Sequence, residues 1–115
     1  MREELSVCEA PIMKIIWESN PDISVPELVK QLNEQYGKEY ARTTVVTFLT
    51  RMAGKGYITT QRRGRISYVH AIKSEQEYKQ QLAQKEIEFW FHGSMAEFAQ
   101  TLCAAAPLHM RSARN

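Results

Sequence analysis

Two short runs rich in β-branched and aromatic residues, Tyr57-Ile58-Thr59-Thr60-Gln61 and Ile66-Ser67-Tyr68-Val69-His70, flank Arg62-Arg63-Gly64-Arg65. Such runs on either side of a glycine-containing turn predict a β-hairpin with a basic tip. The hairpin directly follows a helical stretch, about Arg42 to Lys55, which Gly56 stops. Val45, Phe48, Leu49 and Met52 form its inward stripe, at the three- and four-residue spacing of one helix face. Arg42, Thr43, Thr44, Val46, Thr47 and Arg51 lie off that stripe.

Two more helices precede this pair. The first is expected from about Val7 to Ser19, with Val7, Ile12, Ile15, Ile16 and Trp17 apolar, and Asn20-Pro21-Asp22 breaking it. The second is expected from about Val25 to Tyr36, with Leu28, Val29, Leu32 and Tyr36 on one face and Gly37 past its end. After the hairpin a long helix runs from Ser74 to about Phe91. His92-Gly93 interrupts it, and a last helix runs from Met95 to about Ala106, where Pro107 ends it. Four of these helix starts carry one signature, Ser-x-x-Glu: Ser6/Glu9, Ser24/Glu27, Ser74/Glu77 and Ser94/Glu97. In such a capping box the hydroxyl accepts from the backbone N–H three residues on, and the carboxylate reaches back to the serine N–H.

The order helix, helix, helix, hairpin is that of a winged helix-turn-helix over residues 1–72. The fold class is mostly α with a small β-hairpin, and two further helices follow in 73–106. Residues 107–115 read as a flexible tail. In a winged helix the third helix enters the major groove and the hairpin tip lies against the DNA backbone or minor groove.

Charge supports that use. The net charge is only +2, but its distribution is uneven. Lys38 to Arg65 holds seven basic residues and one acidic, whereas the first 37 residues hold three basic and seven acidic. A confined basic block is the electrostatic footprint of a nucleic-acid-binding face. Arg42 and Arg51 are suited to phosphates, and Thr43, Thr44 and Thr47 to phosphates or base edges. Arg62, Arg63 and Arg65 have no acidic neighbour in the tip and are expected on the backbone.

The last two helices carry Tyr78, Leu82, Phe89, Trp90, Phe91, Met95, Phe98 and Leu102. That much apolar surface on an appendage calls for a partner. A second copy is the expected one, giving a homodimer with two recognition helices on one DNA face.

Other chemistries find little support. The chain has no G-x-G-x-x-G, no G-x-x-x-x-G-K-[ST] and no G-x-S-x-G, so no enzyme and no cofactor is expected. Cys8 and Cys103 are 95 residues apart and form no C-x-x-C pair, so both thiols are expected free. Cys103 reads as a packed small hydrophobe and Cys8 as buried. His70, His92 and His109 lack metal-ligand spacing, and no metal site is expected; His70 reads as structural. No run is long enough to span a membrane, and the N-terminus does not read as a signal peptide, so the expected location is the cytoplasm.

Ala10 to Trp17 (APIMKIIW), Thr44 to Lys55 (TVVTFLTRMAGK), Gly56-Tyr57-Ile58 and Phe91-His92-Gly93-Ser94 resemble the penicillinase repressor (BlaI/MecI/CopY-type) family of winged-helix repressors. The most specific stretch is T-V-x-T-x-L-x-R-[ML]-x-x-K-G-[YF]-[IL], which Thr44 to Ile58 satisfies. The resemblance covers about residues 5 to 103. It implies a homodimeric repressor on palindromic promoter operators, with Thr44, Thr47 and Arg51 as DNA contacts. Thr43 stands at a usually basic position, and Val46 where members often carry a polar residue. A valine offers no donor. In the β-lactam branch the family's switch is proteolysis at an Asn-Phe bond, and in the copper branch it is a pair of Cys-x-Cys motifs. Here asparagine occurs only at 20, 33 and 115, none before phenylalanine, and Cys103 stands alone. The releasing signal, whether a protease or a ligand sensor, is left open. So are two other uses of the fold, a protein–protein interaction module and a small-molecule-sensing regulator.

Overall fold

The computed structural model describes residues 4–19 and 22–105. The expected tail, the Asn20-Pro21 break, the end of the last helix at Ala106 and His109 lie outside them. The elements, in order, are α1 (Glu9–Glu18), β1 (Ile23–Ser24), α2 (Val25–Tyr36), α3 (Arg42–Gly54), β2 (Ile58–Arg63), β3 (Ile66–Ala71), α4 (Glu75–Phe91) and α5 (Met95–Ala105). They form two compact units, one ending at Glu75 and one starting at Gln76.

In the first unit three helices pack on a three-stranded antiparallel sheet of order β1-β3-β2. The hairpin pairs Ile58 with Ala71 through Arg63 with Ile66, leaving Gly64 and Arg65 as a two-residue loop. Gly64 has φ +66°, and among the described residues His92 is the only non-glycine with positive φ. Positive φ at the first loop position alone is the type II′ pattern, which glycine adopts without steric penalty and which matches strand twist. The third strand was not foreseen. Ile23 pairs with Val69 and Ser24 with Tyr68.

The core draws on every element of this unit: Ile12, Met13, Ile15 and Ile16 of α1; Val25, Leu28 and Leu32 of α2; Val45, Leu49 and Met52 of α3; and Ile23, Ile58 and Val69 of the sheet, with Tyr57 ahead of β2. Five expected core positions differ, two of them, Trp17 and Val29, in being half-buried rather than buried. Val7 is 90% exposed, lying in the turn ahead of α1. Tyr36, at the last turn of α2, is 40% exposed. Phe48 is half-buried and meets Tyr40 edge-on at 5.6 Å between centroids.

The capping serines act as expected at three ends. Ser6 and Glu9 make the full reciprocal box: Glu9 N donates to Ser6 Oγ at 3.2 Å, and Ser6 N to Glu9 Oε1 at 2.9 Å. Ser24 and Ser94 each accept from the backbone three residues on.

Two polar clamps set the position of α3. At its start, Gly37 turns the chain in the left-handed region (φ +64°). Asn33 then holds the connection like a strand partner, accepting from Tyr40 N at 3.0 Å and donating to Tyr40 O at 3.3 Å. At its end, Lys55 reaches Glu9 at 2.7 Å and the Glu4 carbonyl at 3.1 Å. Glu9 is 1% exposed. Burial alone would raise its pKa, but the Lys55 ammonium and the Ser6 N–H and hydroxyl outweigh it, holding the carboxyl below its ordinary value.

The first unit extends past residue 72 for a physical reason. Ile72 N and Lys73 N both donate to the Tyr57 carbonyl, and Trp17 Nε1 donates to Lys73 O at 2.8 Å. Lys14 then pairs with Glu75 at 2.8 Å.

In the second unit Ile87 is buried, and Phe91 meets Phe98 edge-on at 5.5 Å. Tyr78, Leu82, Phe91 and Phe98 are half-buried. Phe89, Trp90, Met95 and Leu102 are 56–72% exposed. Ile87, Phe89 and Met95 line an open groove of about 690 Å³ with Gln84, Lys85, Glu88 and Gly93. No helix among the described residues is long and apolar enough to cross a membrane.

Candidate nucleic-acid interface

The inward face of α3 is occupied by Val45, Leu49 and Met52, each no more than 3% exposed. Helical geometry therefore turns Thr43, Val46, Thr47 and Thr50 outward, at i, i+3, i+4 and i+7, and all four are exposed. Arg42 and Arg51 stand exposed near the two ends of this stripe. Thr44 is half-buried beside it.

Two hydroxyls on the stripe are turned back onto the helix. Thr47 Oγ1 donates to the Thr43 carbonyl at 3.0 Å, and Thr50 Oγ1 to the Val46 carbonyl at 3.0 Å. Val46 and Thr50 also line a hollow of about 320 Å³ together with Val25, Leu49, Ala53, Thr60 and Ser67. Val46 and Thr50 are thus part of the outward face, although neither was among the expected contact residues. The rule that finds them is spacing: once Thr43 and Thr47 are placed outward, 46 and 50 follow.

The wing differs from expectation at one residue. Arg63 has an acidic partner, which lies not in the tip but 41 positions earlier. Its Nη2 meets Asp22 Oδ2 at 2.6 Å, and its guanidinium lies 4.5 Å over the Tyr68 ring. His70 Nδ1 meets the other oxygen, Asp22 Oδ1, at 2.9 Å. The hydrogen bonds from Arg63 and then His70 hold the Asp22 carboxyl below its ordinary range, against a smaller opposing effect of burial. Asp22 therefore pins β3 and the base of the tip to the residue that opens β1. Arg62 folds its Nε onto the Gly64 carbonyl at 3.2 Å, bracing the turn. Among the described residues, Arg42, Arg51, Arg62 and Arg65 have no acidic side chain within ion-pair distance.

Among the described residues neither Cys8 nor Cys103 forms a disulfide. Cys103 is exposed, so the expectation of a packed thiol fails on a helix with no buried residue. Cys8 is half-buried rather than buried, and its hydrogen bond to Tyr40 pushes that phenol above its ordinary range. His70 is exposed but tied to Asp22, a structural use. The described residues contain no group of three or more His, Cys, Asp or Glu placed to hold a metal.

The model of the penicillinase repressor family matches residues 5–114, nearly the whole chain. The chain belongs to the penicillinase repressor family. That family is one of DNA-binding transcriptional repressors and not of enzymes. The solution structure of the DNA-binding domain of the repressor BlaI is similar to this chain, at 25% identity and a TM-score of 0.53. The match covers 68% of this chain and 94% of the BlaI domain. No curated protein matches it. The repressor's winged helix thus agrees with the order of elements that first suggested it.

Proposed function

We propose that this repressor binds palindromic promoter operators as a homodimer in the cytoplasm, blocking transcription until a signal weakens the dimer. The observation that carries the DNA reading is the outward face of α3. It is an uncharged stripe between two arginines, beside a wing whose Arg62 and Arg65 have no acidic partner among the described residues. Arginines without carboxylates beside them are available to phosphates. Arg42, Arg51, Arg62 and Arg65 hold the backbone in this reading, while Thr43, Thr44 and Thr47 face the groove.

The dimer rests on the second unit. Four large apolar side chains there, Phe89, Trp90, Met95 and Leu102, are more than half exposed. Tyr78, Leu82, Phe91 and Phe98 extend that surface as half-buried neighbours. An exposed apolar face of this kind favours a second copy, and a two-fold pair would place the two α3 helices one DNA turn, or a multiple of it, apart. The release signal acts through this region, as a protease or as a sensor partner.

The test is selection of genomic fragments by the purified protein at about 150 mM salt. A short palindrome upstream of a few genes supports the proposal. Recovery of nothing above background overturns sequence-specific binding. On a recovered site, Arg51→Ala weakens binding to all sequences and lowers the salt slope by about 0.9, one phosphate's share. Thr47→Ala changes the preference among sequences instead.

A further inference from the structure

The middle of α3 has methyl groups and hydrogen-bond acceptors but few donors. A hydroxyl carries a single proton. Thr47 and Thr50 commit theirs to the carbonyls of Thr43 and Val46, each at 3.0 Å. Their oxygens then meet an outside partner only as acceptors. Between them stands Val46, 42% exposed and wholly apolar. Donors on this face are confined to its ends, at Arg42, Thr43 and Thr44 and at Arg51.

The four base pairs differ in what they show such a face. Guanine presents only acceptors in the major groove, N7 and O6, and reading them needs a donor. An A·T pair presents the thymine C5-methyl together with the adenine N6 donor. We infer that the middle of α3 reads A·T pairs, with Val46 as the specificity-determining side chain packed on a thymine methyl. Thr47 and Thr50 accept from adenine N6 alongside it. The valine that offers no donor is a methyl reader, and polar readout passes to the helix ends. This inference rests on α3 lying in the major groove.

The test replaces each thymine of a recovered operator, one at a time, by deoxyuridine, which lacks the C5-methyl and pairs identically. Affinity is read by fluorescence anisotropy of the full-length protein. One thymine per half-site is expected to lose about fourfold in affinity on substitution, the equivalent of one buried methyl at ~0.8 kcal/mol. Val46→Ala, a change at an exposed position, is expected to bind the thymine and deoxyuridine sites alike. Val46→Gln brings a donor, and its affinity becomes sensitive to 7-deazaadenine, which lacks the N7 acceptor. If every deoxyuridine site binds like the parent while the operator still outcompetes random DNA, the methyl reading fails and the groove reading stands. If a deoxyuridine penalty persists undiminished in Val46→Ala, another side chain reads the methyl and the assignment of Val46 fails. An operator that binds no better than random DNA overturns the groove reading and this inference with it.

Discussion

Replacing Lys55 by methionine tests how α3 is held. The substitution keeps most of the apolar stem and removes the ammonium that lies 2.7 Å from Glu9. Glu9 is 1% exposed and Lys55 17% in its side chain, so the pair is desolvated. Removing one partner of a buried pair leaves an uncompensated charge and typically costs 3–5 kcal/mol. The Ser6 N–H still serves Glu9 at 2.9 Å, which places the loss near the lower end, about 3 kcal/mol. A small domain has a urea slope of about 1 kcal/mol per molar, so the midpoint should fall by roughly 3 M. The pH dependence gives the sign. In the parent, Glu9 titrates below its unfolded value, so its contribution is fully present above that value. It is lost as pH falls through the lowered folded pKa. In the variant, burial is no longer opposed by Lys55 and the folded pKa rises. The stability gap between parent and variant is then widest at pH 7 and narrows as the solution is acidified toward pH 4. Urea melts followed by circular dichroism at several pH values measure both effects. A loss under about 1 kcal/mol, or a gap that does not narrow, would refute the buried-pair account. A Glu9→Leu, Lys55→Met double variant separates charge from packing, because with both charges gone most of the stability should return.

Two further perturbations follow from the ion-pair and exposure pattern. Asp22→Asn removes the carboxylate that holds Arg63 at 2.6 Å. It should tighten binding to random-sequence DNA at low salt and steepen the salt slope by up to about 0.9; an unchanged slope would mean that Arg63 never meets phosphate. Trp90→Ala, at a side chain 63% exposed, should leave the helical content of the protein nearly unchanged while lowering its self-association. Sedimentation at micromolar concentration checks this, and an unaltered distribution rejects Trp90 as part of the dimer face.

Helix ends were legible in the sequence because their signals are local. Ser24 and Gly37 bracket α2, which spans Val25–Tyr36 and lies where the reading placed it. The hairpin was legible for the same reason, since Gly64 sits where the two-residue loop needs positive φ. The strand β1 was not, because two residues cannot display a period-2 alternation, and its partner Val69 lies 46 positions away. The pairing of Arg63 with Asp22 escaped on the same ground: it is made by the sheet, after β1 lies beside β3. A reading that looks for acids near the tip in sequence misses the one that the fold brings there. On α3 the contact reading followed donors rather than spacing. Val46 was set aside for lacking a donor, although the spacing that turns Thr43 and Thr47 outward turns Val46 outward as well.

The composition of α3 links fold to function through an apparent conflict. Six of its 13 residues are β-branched: Thr43, Thr44, Val45, Val46, Thr47 and Thr50. Four of these are exposed, where alanine would favour the helix by about 0.5 kcal/mol each, or roughly 2 kcal/mol together. Burial of Val45, Leu49 and Met52 offsets this, at about 1.5–3 kcal/mol per side chain. The helix is held by the core beneath it and by the clamps at Asn33 and Glu9, and not by its own propensity. An outer face released from that duty can carry residues chosen for another. β-branched side chains have restricted χ1 in a helix, and the back-bonded hydroxyls of Thr47 and Thr50 restrict theirs further. Their methyls are therefore placed before any partner arrives, and little rotamer freedom is lost on contact. A lysine- or glutamine-rich face would have favoured the helix more and would have had more freedom to lose on docking. The propensity surrendered on the outside of α3 is the measure of how strongly its shape, rather than its charge, is specified.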